Sequence, residues 1–411
     1  MSDLECWIWF SGLRHLRWRT RRALLDRFGG ARELWFADRR TLETLPGLLP
    51  EERQELSDRS APAQERIVRR CAEEGVRILT FQDAAYPERL RNIPDPPYVL
   101  YVRGEMPAVD TEPVVAVVGT RHSSSYGEKM ARAVAAEIAC CGGTVVTGLA
   151  AGIDSRAAEA ALDAGGTVLG VLGVAINKVY PSGNAPLYAR VEKQGALVSE
   201  YPPDAEGLKA WFPQRNRIIA GLSLGVVIPE APERSGALIT AQRALDYGRD
   251  VYAVPANADS QKGRGSNRLL QEGAGLVLCG WDVMQNYEAF YPDRIVKREP
   301  PAAEPPETPT GEEKTDTPTA GKGFFLFRSP NRKTAGESGE NKRLLEAQLE
   351  LLTERQLKIV GVMNSPSMHV DDIIDLSGLP APAVLSELTM LQIKGFVSQE
   401  QGKRFTLNIS K

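Results

Sequence analysis

The stretch from residue 212 to residue 255 constrains the fold of this chain more than any other, because it reads as helix, strand, turn, helix and strand with almost no residues between them. The apolar run 226–228 is typical of a strand buried on both faces of a parallel sheet. Ser235-Gly236 then caps a helix whose apolar residues recur at helical spacing. A strand, a Ser/Gly turn and a helix N-terminus together favour a site for phosphate oxygens.

Strands and helices alternate in the same way from about residue 112 to residue 281. This alternation predicts an α/β fold, an extended Rossmann-type doubly wound parallel sheet with right-handed crossovers. Ligands bind such sheets at the carboxyl ends of the strands. The predicted strands are residues 114–118, 145–147, 167–172, 197–199, 226–228, 251–254 and 276–278.

The rest of the chain predicts three further parts. Residues 1–65 favour a small helical domain, and 66–295 hold a proline-rich lead-in followed by the sheet domain. Residues 296–345 are a low-complexity mixture that predicts a disordered linker. Within it, 324–327 is either a docking peptide or a chance apolar cluster. Residues 346–411 show three helical patterns and a hairpin, the outline of a winged-helix domain.

Two features of the terminal domains leave alternatives open. Five arginines crowd around Trp18, which suits either a helix-hairpin-helix module touching a phosphate backbone or a solvated helix face. From residue 354 onward Lys and Arg balance Asp and Glu, so the winged helix lacks the usual electrostatic footprint of a DNA binder. That balance favours protein contact or a weak DNA role.

Composition narrows the function. A net charge of −3 over 411 residues argues against coating nucleic acid by bulk electrostatics, so any nucleic-acid surface must be local. The five cysteines show no paired spacing, and there is no signal peptide or long apolar run, so we expect a cytoplasmic protein without membrane contact. The three histidines are scattered, and we expect no metal site and no cofactor.

Four loops are expected to meet at the carboxyl edge of the sheet, at residues 119–123, 147–154, 180–184 and 230–240. Together with the helix that begins near Phe212, they predict a phosphate-lined groove with three arginines as its cations. The alternative is that Gly and Ser are only turn and cap residues. The candidate phosphate-binding residues are Gly119, Thr120, Arg121, Ser123, Gly148, Gly152, Arg215, Asn216, Arg217, Ser235, Gly236 and Thr240.

The loops do not describe a familiar catalytic site. The sequence contains neither the P-loop pattern nor the Gly-x-Gly-x-x-Gly dinucleotide fingerprint. Ser235 has no evident His/Asp partners for nucleophilic catalysis. We therefore predict a binding protein rather than an enzyme. Stacking of bases on Tyr180, Trp211 or Phe212 is expected to add sequence-tolerant affinity.

The loop motifs closely resemble those of the bacterial DNA-processing protein A (DprA/Smf) family. The resemblance is strong from about residue 80 to 280, and extends to both ends by architecture. Its motifs are Gly119-Thr120-Arg121, Thr147-Gly148-Leu149-Ala150, Gly152-Ile153-Asp154, Tyr180-Pro181, Ser199-Glu200, the run from Phe212 to Ser223, Glu230-Ala231, the run from Ser235 to Ala241, and Gly265-Ser266-Asn267.

The resemblance implies a single-stranded DNA-binding protein that protects incoming DNA in natural transformation and loads the RecA recombinase. It also implies a homodimer through the Rossmann-type domain. In this chain the family's phosphate contacts fall on Gly119, Arg121, Ser235 and Gly236, and its polar floor on Arg215, Asn216 and Arg217.

Three positions depart from the family's pattern, which usually has Arg, His and Gly where this chain has Ala151, Ala158 and Ala256. Losing Arg at position 151 is expected to weaken binding and its salt dependence. Two other functions stay open. One is a Rossmann-type phosphoribohydrolase-like enzyme, for which Glu230 is the nearby carboxylate, and the other is a protein adaptor using the linker and the terminal domain.

Overall fold

The computed structural model describes residues 1–59, 62–299, 352–363, 368–393, 396–400 and 404–407. The chain divides into two compact units, Met1–Thr308 and Pro309–Lys411. Most of the expected linker, including residues 324–327, lies outside the described residues. The expected domain boundaries at residues 65, 295 and 345 remain predictions. Among the described residues, no helix is both long and apolar enough to cross a membrane.

The first unit begins with a bundle of six helices, which confirms the expected helical N-terminus. Residues 6–10 of its first helix are all apolar and buried, and Trp7 and Phe10 pack against Tyr98 at ring-centroid distances of 6.3 and 4.9 Å. The bundle therefore packs on the sheet through aromatic side chains. The helices are α1 (Asp3–Gly12), α2 (Trp18–Phe28), α3 (Ala31–Phe36), α4 (Arg39–Glu43), α5 (Pro50–Ser57) and α6 (Pro62–Glu73).

A nine-stranded sheet forms the centre of the first unit. Its strands are β1 (Arg77–Thr80), β2 (Val99–Gly104), β3 (Val114–Val117), β4 (Thr144–Thr147), β5 (Val168–Leu172), β6 (Gly195–Ser199), β7 (Gly225–Ile228), β8 (Asp250–Ala253) and β9 (Gly275–Leu276). Their order across the sheet is β1-β2-β6-β5-β4-β3-β7-β8-β9. The seven strands from β6 to β9 are parallel, as expected for this fold. The order reverses between β3 and β7.

The proline-rich lead-in contributes two strands, β1 and β2, to the main sheet. They pair antiparallel to each other, and β2 pairs antiparallel to β6 with Tyr101 opposite Ser199. The prolines between them form no strand, so they lie in the connection where a missing N–H costs no ladder bond.

Eight helices accompany the sheet in the described residues, and the first and the last of them were not predicted. They are α7 (Glu88–Arg91), α8 (Ser125–Cys140), α9 (Ile153–Asp163), α10 (Ala185–Lys193), α11 (Trp211–Leu222), α12 (Gly236–Asp246), α13 (Arg264–Gln271) and α14 (Trp281–Met284). The parallel strands β3 to β7 are buried along their whole length. Near-continuous apolar runs are what a sheet covered on both faces requires.

The second unit has winged-helix architecture, as predicted. Its elements are α15 (Glu354–Val362), β10 (Met368–His369), α16 (Val370–Ser377), α17 (Ala381–Ile393), β11 (Val397–Glu400) and β12 (Arg404–Leu407). The strands form a sheet in the order β10-β12-β11 over a core that includes Ile359, Ile373 and Leu388. The expected hairpin turn at residues 401–402 lies outside the described residues.

Candidate nucleic-acid interface

A groove of about 440 Å³ opens where the strand order reverses, at the carboxyl ends of β3 and β7. The loops that follow these two strands form its walls, and the N-terminal turns of α11 and α12 complete it. A topological switch point of this kind is where ligands bind to doubly wound sheets. Eight of the candidate residues line it: Gly119, Thr120, Arg121, Arg215, Asn216, Ser235, Gly236 and Thr240.

The carboxylate of Asp154 holds two of the loops together beneath this groove. Its two oxygens accept from the backbone N–H of Gly119 over 3.1 Å and of Gly148 over 3.0 Å. Burial raises the pKa of Asp154, while Arg215 and these N–H groups act in the opposite direction. The backbone N–H groups of Gly119 and Gly148 are therefore already used inside the protein.

The loops approach each other so closely that only glycine fits at positions 119 and 152. A Cβ atom at position 119 would lie 2.7 Å from Cγ1 of Ile153 and 2.8 Å from the carbonyl oxygen of Glu230. Gly152 has a φ of 80°, and a Cβ there would collide with the backbone of Thr120 and Arg121. The glycines therefore shape the groove, whereas Gly152 and Gly148 are not among the residues that line it.

Arg121 is an exposed cation of the groove. Its guanidinium carbon lies 5.4 Å from the ring centroid of Phe212, and that ring packs 5.0 Å from the ring of Tyr180. No carboxylate in the described part of the chain forms an ion pair with Arg121. A cation held on an aromatic face without a counter-ion is available to a phosphate.

Ser235 and Gly236 begin α12 and bring backbone donors to the same groove. The hydroxyl of Ser235 accepts from the N–H of Ala237 over 3.2 Å, and its own O–H remains able to donate. Among the described residues, no acceptor takes the backbone N–H of Arg121, Ser235 or Gly236. Three free donors beside a helix N-terminus suit an anionic oxygen.

Arg215 forms part of the floor of the groove, with 4% of its surface exposed. Its Nη1 donates to the carbonyl oxygen of Gly148 over 2.9 Å and to that of Val171. Burial lowers the pKa of this guanidinium, and Asp154 opposes the effect. Its charge and hydrogen bonds are thus already used in holding the floor together.

Arg217 does not face the groove, although it was expected to be one of its cations. Its Nη2 lies 2.7 Å from each carboxylate oxygen of Glu200, and its Nε lies 3.4 Å from Asp95. Positions two apart on a helix are rotated by about 200°, so Arg215 and Arg217 point to opposite sides of α11. The Arg-Asn-Arg run is therefore two separate features and not one basic patch.

The remaining candidates lie at the edges of the site. Asn216 donates to the carbonyl oxygen of Gly236 over 3.2 Å and so ties α11 to α12. Thr240 is buried below the groove surface. Ser123 donates to Glu128 over 2.8 Å and does not line the groove. Its loop position made it a candidate, but the loop turns away to start α8.

The sequence alone did not single out two exposed cations near the groove. Arg234 lines the groove directly before Ser235, and Lys262 donates to the carbonyl oxygen of Ser123 over 3.0 Å. Arg234 stood inside the loop of interest, but no motif distinguished it. Lys262 comes from the distant loop that follows β8, and only the fold brings it here.

Glu230, the candidate carboxylate of the enzyme alternative, already accepts hydrogen bonds within the protein. It is buried and accepts from the backbone N–H of Ser124 over 2.7 Å and from its hydroxyl over 2.6 Å. A carboxylate held in this way caps the N-terminus of α8.

The three departures from the family's pattern occupy different settings. Ala151 is exposed in the loop after β4, where a longer side chain would have room. Ala158 is fully buried in α9, so its side chain is part of the core. Ala256 exchanges two hydrogen bonds with the side chain of Asn267, each over 2.9 Å.

Comparison with known proteins gives concordant matches along most of the chain. The family model for DNA recombination-mediator protein A matches residues 77–288, and the model for the DprA winged helix domain matches residues 333–403. Protein Smf of Synechocystis sp. is 33% identical over 331 residues, which cover 80% of this chain and 79% of that protein. DNA processing protein DprA of Streptococcus pneumoniae is 41% identical over 210 residues, covering 50% of this chain and 72% of that protein.

A solved structure agrees with these matches. The X-ray structure of DprA from Streptococcus pneumoniae superposes with a TM-score of 0.60 and 31% identity, covering 69% of this chain and 98% of that one. On the family models, the relatives and the shared fold, this chain belongs to the DNA recombination-mediator protein A (DprA/Smf) family.

Proposed function

We propose that this protein binds single-stranded DNA, with the phosphates of the strand lying in the groove between β3 and β7. The observation that carries the proposal is the position of Arg121. Its unpaired guanidinium lies at the switch point of the sheet, in a groove that also presents the free N–H groups of Ser235 and Gly236. Because the chain as a whole is slightly acidic, this local positive site is the surface that attracts a phosphate.

The aromatic side chains beside Arg121 favour a single strand over a duplex. Tyr180 is half-exposed and packs against Phe212 with the two rings tilted by 50°, so the exposed ring of Tyr180 is available to an unstacked base. In a duplex the faces of the bases are already covered by their neighbours. Trp211 was also expected to stack on DNA, but it is buried against Tyr201 on the other side of α11, with ring centroids 3.6 Å apart.

The binding test is fluorescence anisotropy with a labelled single-stranded oligonucleotide across a salt series. Arg121→Ala should lose most of the affinity and flatten the salt dependence by about one phosphate contact. Arg268→Ala is the matched control, because Arg268 is an exposed arginine outside the groove that pairs with Glu272. Equal affinity of the wild type and Arg121→Ala would refute the proposal.

The wider role proposed here is that of a recombination mediator that protects incoming strands during transformation and loads RecA on them. Membership of the DNA recombination-mediator protein A family supports it. RecA filament assembly on an oligonucleotide coated with single-strand-binding protein tests it. The protein should accelerate assembly and Arg121→Ala should not, because the DNA must first be held in the groove.

The proposed homodimer has a suitable surface at the edge of the sheet. Strand β9 is the last strand in the sheet order, so one side of its backbone is unpaired among the described residues. Leu276 and Leu278 are 54% and 63% exposed beside it. An apolar unpaired edge favours pairing with a second copy. Light scattering of Leu278→Glu should then show a monomer where the wild type shows a dimer.

A further inference from the structure

The arginine-rich segment of the N-terminal bundle forms an exposed basic surface that the proposed function does not use. Residues 14–22 contain five arginines and no acidic residue, whereas the chain as a whole has a net charge of −3. Arg14, Arg17 and Arg19 are exposed, and Trp18 among them is 40% exposed. We call these four residues the bundle surface. Positive charge concentrated around an exposed aromatic side chain is typical of a nucleic-acid contact.

The bundle surface stays positive although two carboxylates lie near it. Glu52 is fully buried and pairs with Arg17, and Glu55 accepts from the backbone N–H groups of residues 14 and 15. Among the described residues, the guanidinium groups of Arg14 and Arg19 form no ion pair with a carboxylate. Three exposed arginines against two carboxylates, one of them buried, leave a net positive surface that attracts an anion.

The first turn of α2 adds backbone donors to the same surface. Arg17 precedes this helix without a side-chain cap. In the part of the chain that the structure describes, no acceptor takes the backbone N–H groups of Trp18, Arg19 and Thr20. The helix dipole also places partial positive charge at this end. Free N–H groups beside unpaired guanidinium groups suit the oxygens of a phosphate.

A concavity of about 490 Å³ gives the bundle surface its shape. It lies between the start of α2 and Pro46-Gly47, in the connection from α4 to α5. Arg17 holds these two walls together, since its Nη2 donates to the carbonyl oxygen of Gly47 over 3.0 Å. The guanidinium carbon of Arg19 lies 5.1 Å from the ring centroid of Trp18. Of the described residues that line the concavity, none is acidic.

The bundle surface combines the same groups as the groove. Like Arg121 on Phe212, Arg19 lies on an aromatic ring beside a helix N-terminus, without an ion pair among the described residues. We propose that Arg14, Trp18 and Arg19 form a second contact for single-stranded DNA, with phosphates on the arginines and a base on Trp18. This inference rests on the proposed function, because one strand occupies both the groove and the bundle surface.

The fold brings the two surfaces to opposite sides of α11, within the first unit. Phe212 lines the groove, whereas the preceding residue, Trp211, lines a separate concavity of about 470 Å³. Arg14 and Trp18 line that same concavity. A helix with its side chains is about 10 Å across, so a strand that leaves the groove over the start of α11 can reach Trp18 within a few nucleotides.

Fluorescence anisotropy of the full-length protein with a short and a long oligothymidine tests the proposal. Their lengths are about 5 and about 20 nucleotides, because single-strand sites span roughly 4–16 nucleotides. The double variant Arg14→Ala/Arg19→Ala should bind the long oligonucleotide about tenfold more weakly, with a salt slope reduced by about two phosphate contacts. It should bind the short one as the wild type does, whereas Arg121→Ala should weaken both. Wild-type affinity of the double variant for the long oligonucleotide would overturn the proposal.

The matched control is Arg27→Ala/Arg32→Ala, which removes the same charge from the same bundle. These two exposed arginines also lie over aromatic rings, of Phe28 and Phe36, but line neither concavity. The control should bind both oligonucleotides with wild-type affinity. An equal loss in the control and in Arg14→Ala/Arg19→Ala would show an effect of net charge alone and refute the second contact.

Photocrosslinking tests the place of Trp18 directly and separates failure of this proposal from failure of the groove. A single iodouracil is placed in turn along the long oligothymidine, and adducts are located by mass spectrometry. We expect an adduct on Trp18 at some positions; a bound strand that never labels Trp18 would contradict the stacking. Loss of binding in Arg14→Ala/Arg19→Ala but not in Arg121→Ala would refute the groove and keep the bundle surface. A wild type that binds neither oligonucleotide would refute both.

Discussion

The guanidinium of Arg215 donates to the carbonyl oxygen of Gly148 over 2.9 Å, which fixes the floor of the groove to the loop after β4. Arg121, in the loop after β3, is exposed and carries no such bond. One arginine therefore holds the site together and the other is free to bind. Their substitutions should have different consequences.

Replacing Arg215 with alanine should destabilise the fold. The change removes its two carbonyl contacts and leaves Asp154 buried without its counter-charge. We expect a loss of about 1.5–3 kcal/mol, the range for hydrogen bonds to a charged group. Denaturant unfolding measures it, and Arg268→Ala should stay within about 0.5 kcal/mol of wild type. An unchanged midpoint for Arg215→Ala would contradict the role assigned to it.

Replacing Arg217 with lysine should lower stability without changing the salt dependence of DNA binding. Lysine has one nitrogen, so it cannot replace both the contacts of Nη2 with Glu200 and the contact of Nε with Asp95. The expected loss is about 1.5–3 kcal/mol, the range for hydrogen bonds to charged groups. Anisotropy across a salt series should give the wild-type slope. A flatter slope would place Arg217 on the phosphate path.

The N-terminal bundle should lose stability in acid through Glu52. Its carboxylate accepts from Arg17, Leu49 and Thr20, and the Arg17 hydrogen bond is the main cause that lowers the pKa of Glu52 to about 2. A carboxylate with a lowered folded-state pKa stabilises the fold above its unfolded pKa of 4.5 and loses that contribution as pH falls toward 2. Glu52→Gln should be less stable by about 1.5–3 kcal/mol near neutral pH.

The measurement for Glu52 is urea unfolding followed by tryptophan fluorescence, since three buried tryptophans lie in the bundle. The difference in the free energy of unfolding between wild type and Glu52→Gln should decrease as pH is lowered from about 4.5 to about 2. A gap that stays constant over this range would show that ionisation of Glu52 is not its cause.

Substituting Gly152 with alanine should damage both stability and DNA binding. Its φ of 80° is unfavourable for alanine, and the added Cβ would press on the backbone of Thr120 and Arg121. We expect a loss of at least about 1 kcal/mol and weaker oligonucleotide binding, because Arg121 would be displaced. Gly183→Ala is the control, since nothing lies within 4 Å of a Cβ there. Wild-type stability and DNA affinity of Gly152→Ala would show that the loop can accommodate a Cβ atom at this position.

The periodicity of apolar residues was enough to predict the parallel sheet and its helices. The apolar run of β7 and the helical spacing of apolar residues in α12 are local patterns, and the structure buries these apolar residues against the core. The antiparallel pairing of β2 with β6 was not predictable, because it joins segments about 95 residues apart that carry no shared pattern.

The sequence predicted which loops form the candidate site, but it did not predict the directions in which their side chains point. The loop after β3 and the start of α12 do meet, because both follow strands at the switch point. The direction of Arg217 depends on the rotation of α11 against the sheet, and the use of Asp154 depends on how closely two loops approach. Both follow from packing between distant segments.

The two hydrogen bonds of Asp154 have a kinetic consequence. By holding the amides of Gly119 and Gly148 in place, this carboxylate fixes the loops that carry Arg121 before any DNA arrives. The conformational entropy of ordering them is lost during folding and not on binding. Association should therefore proceed in one step at a rate set by electrostatic encounter, slowing with salt and showing no slow phase of loop closure.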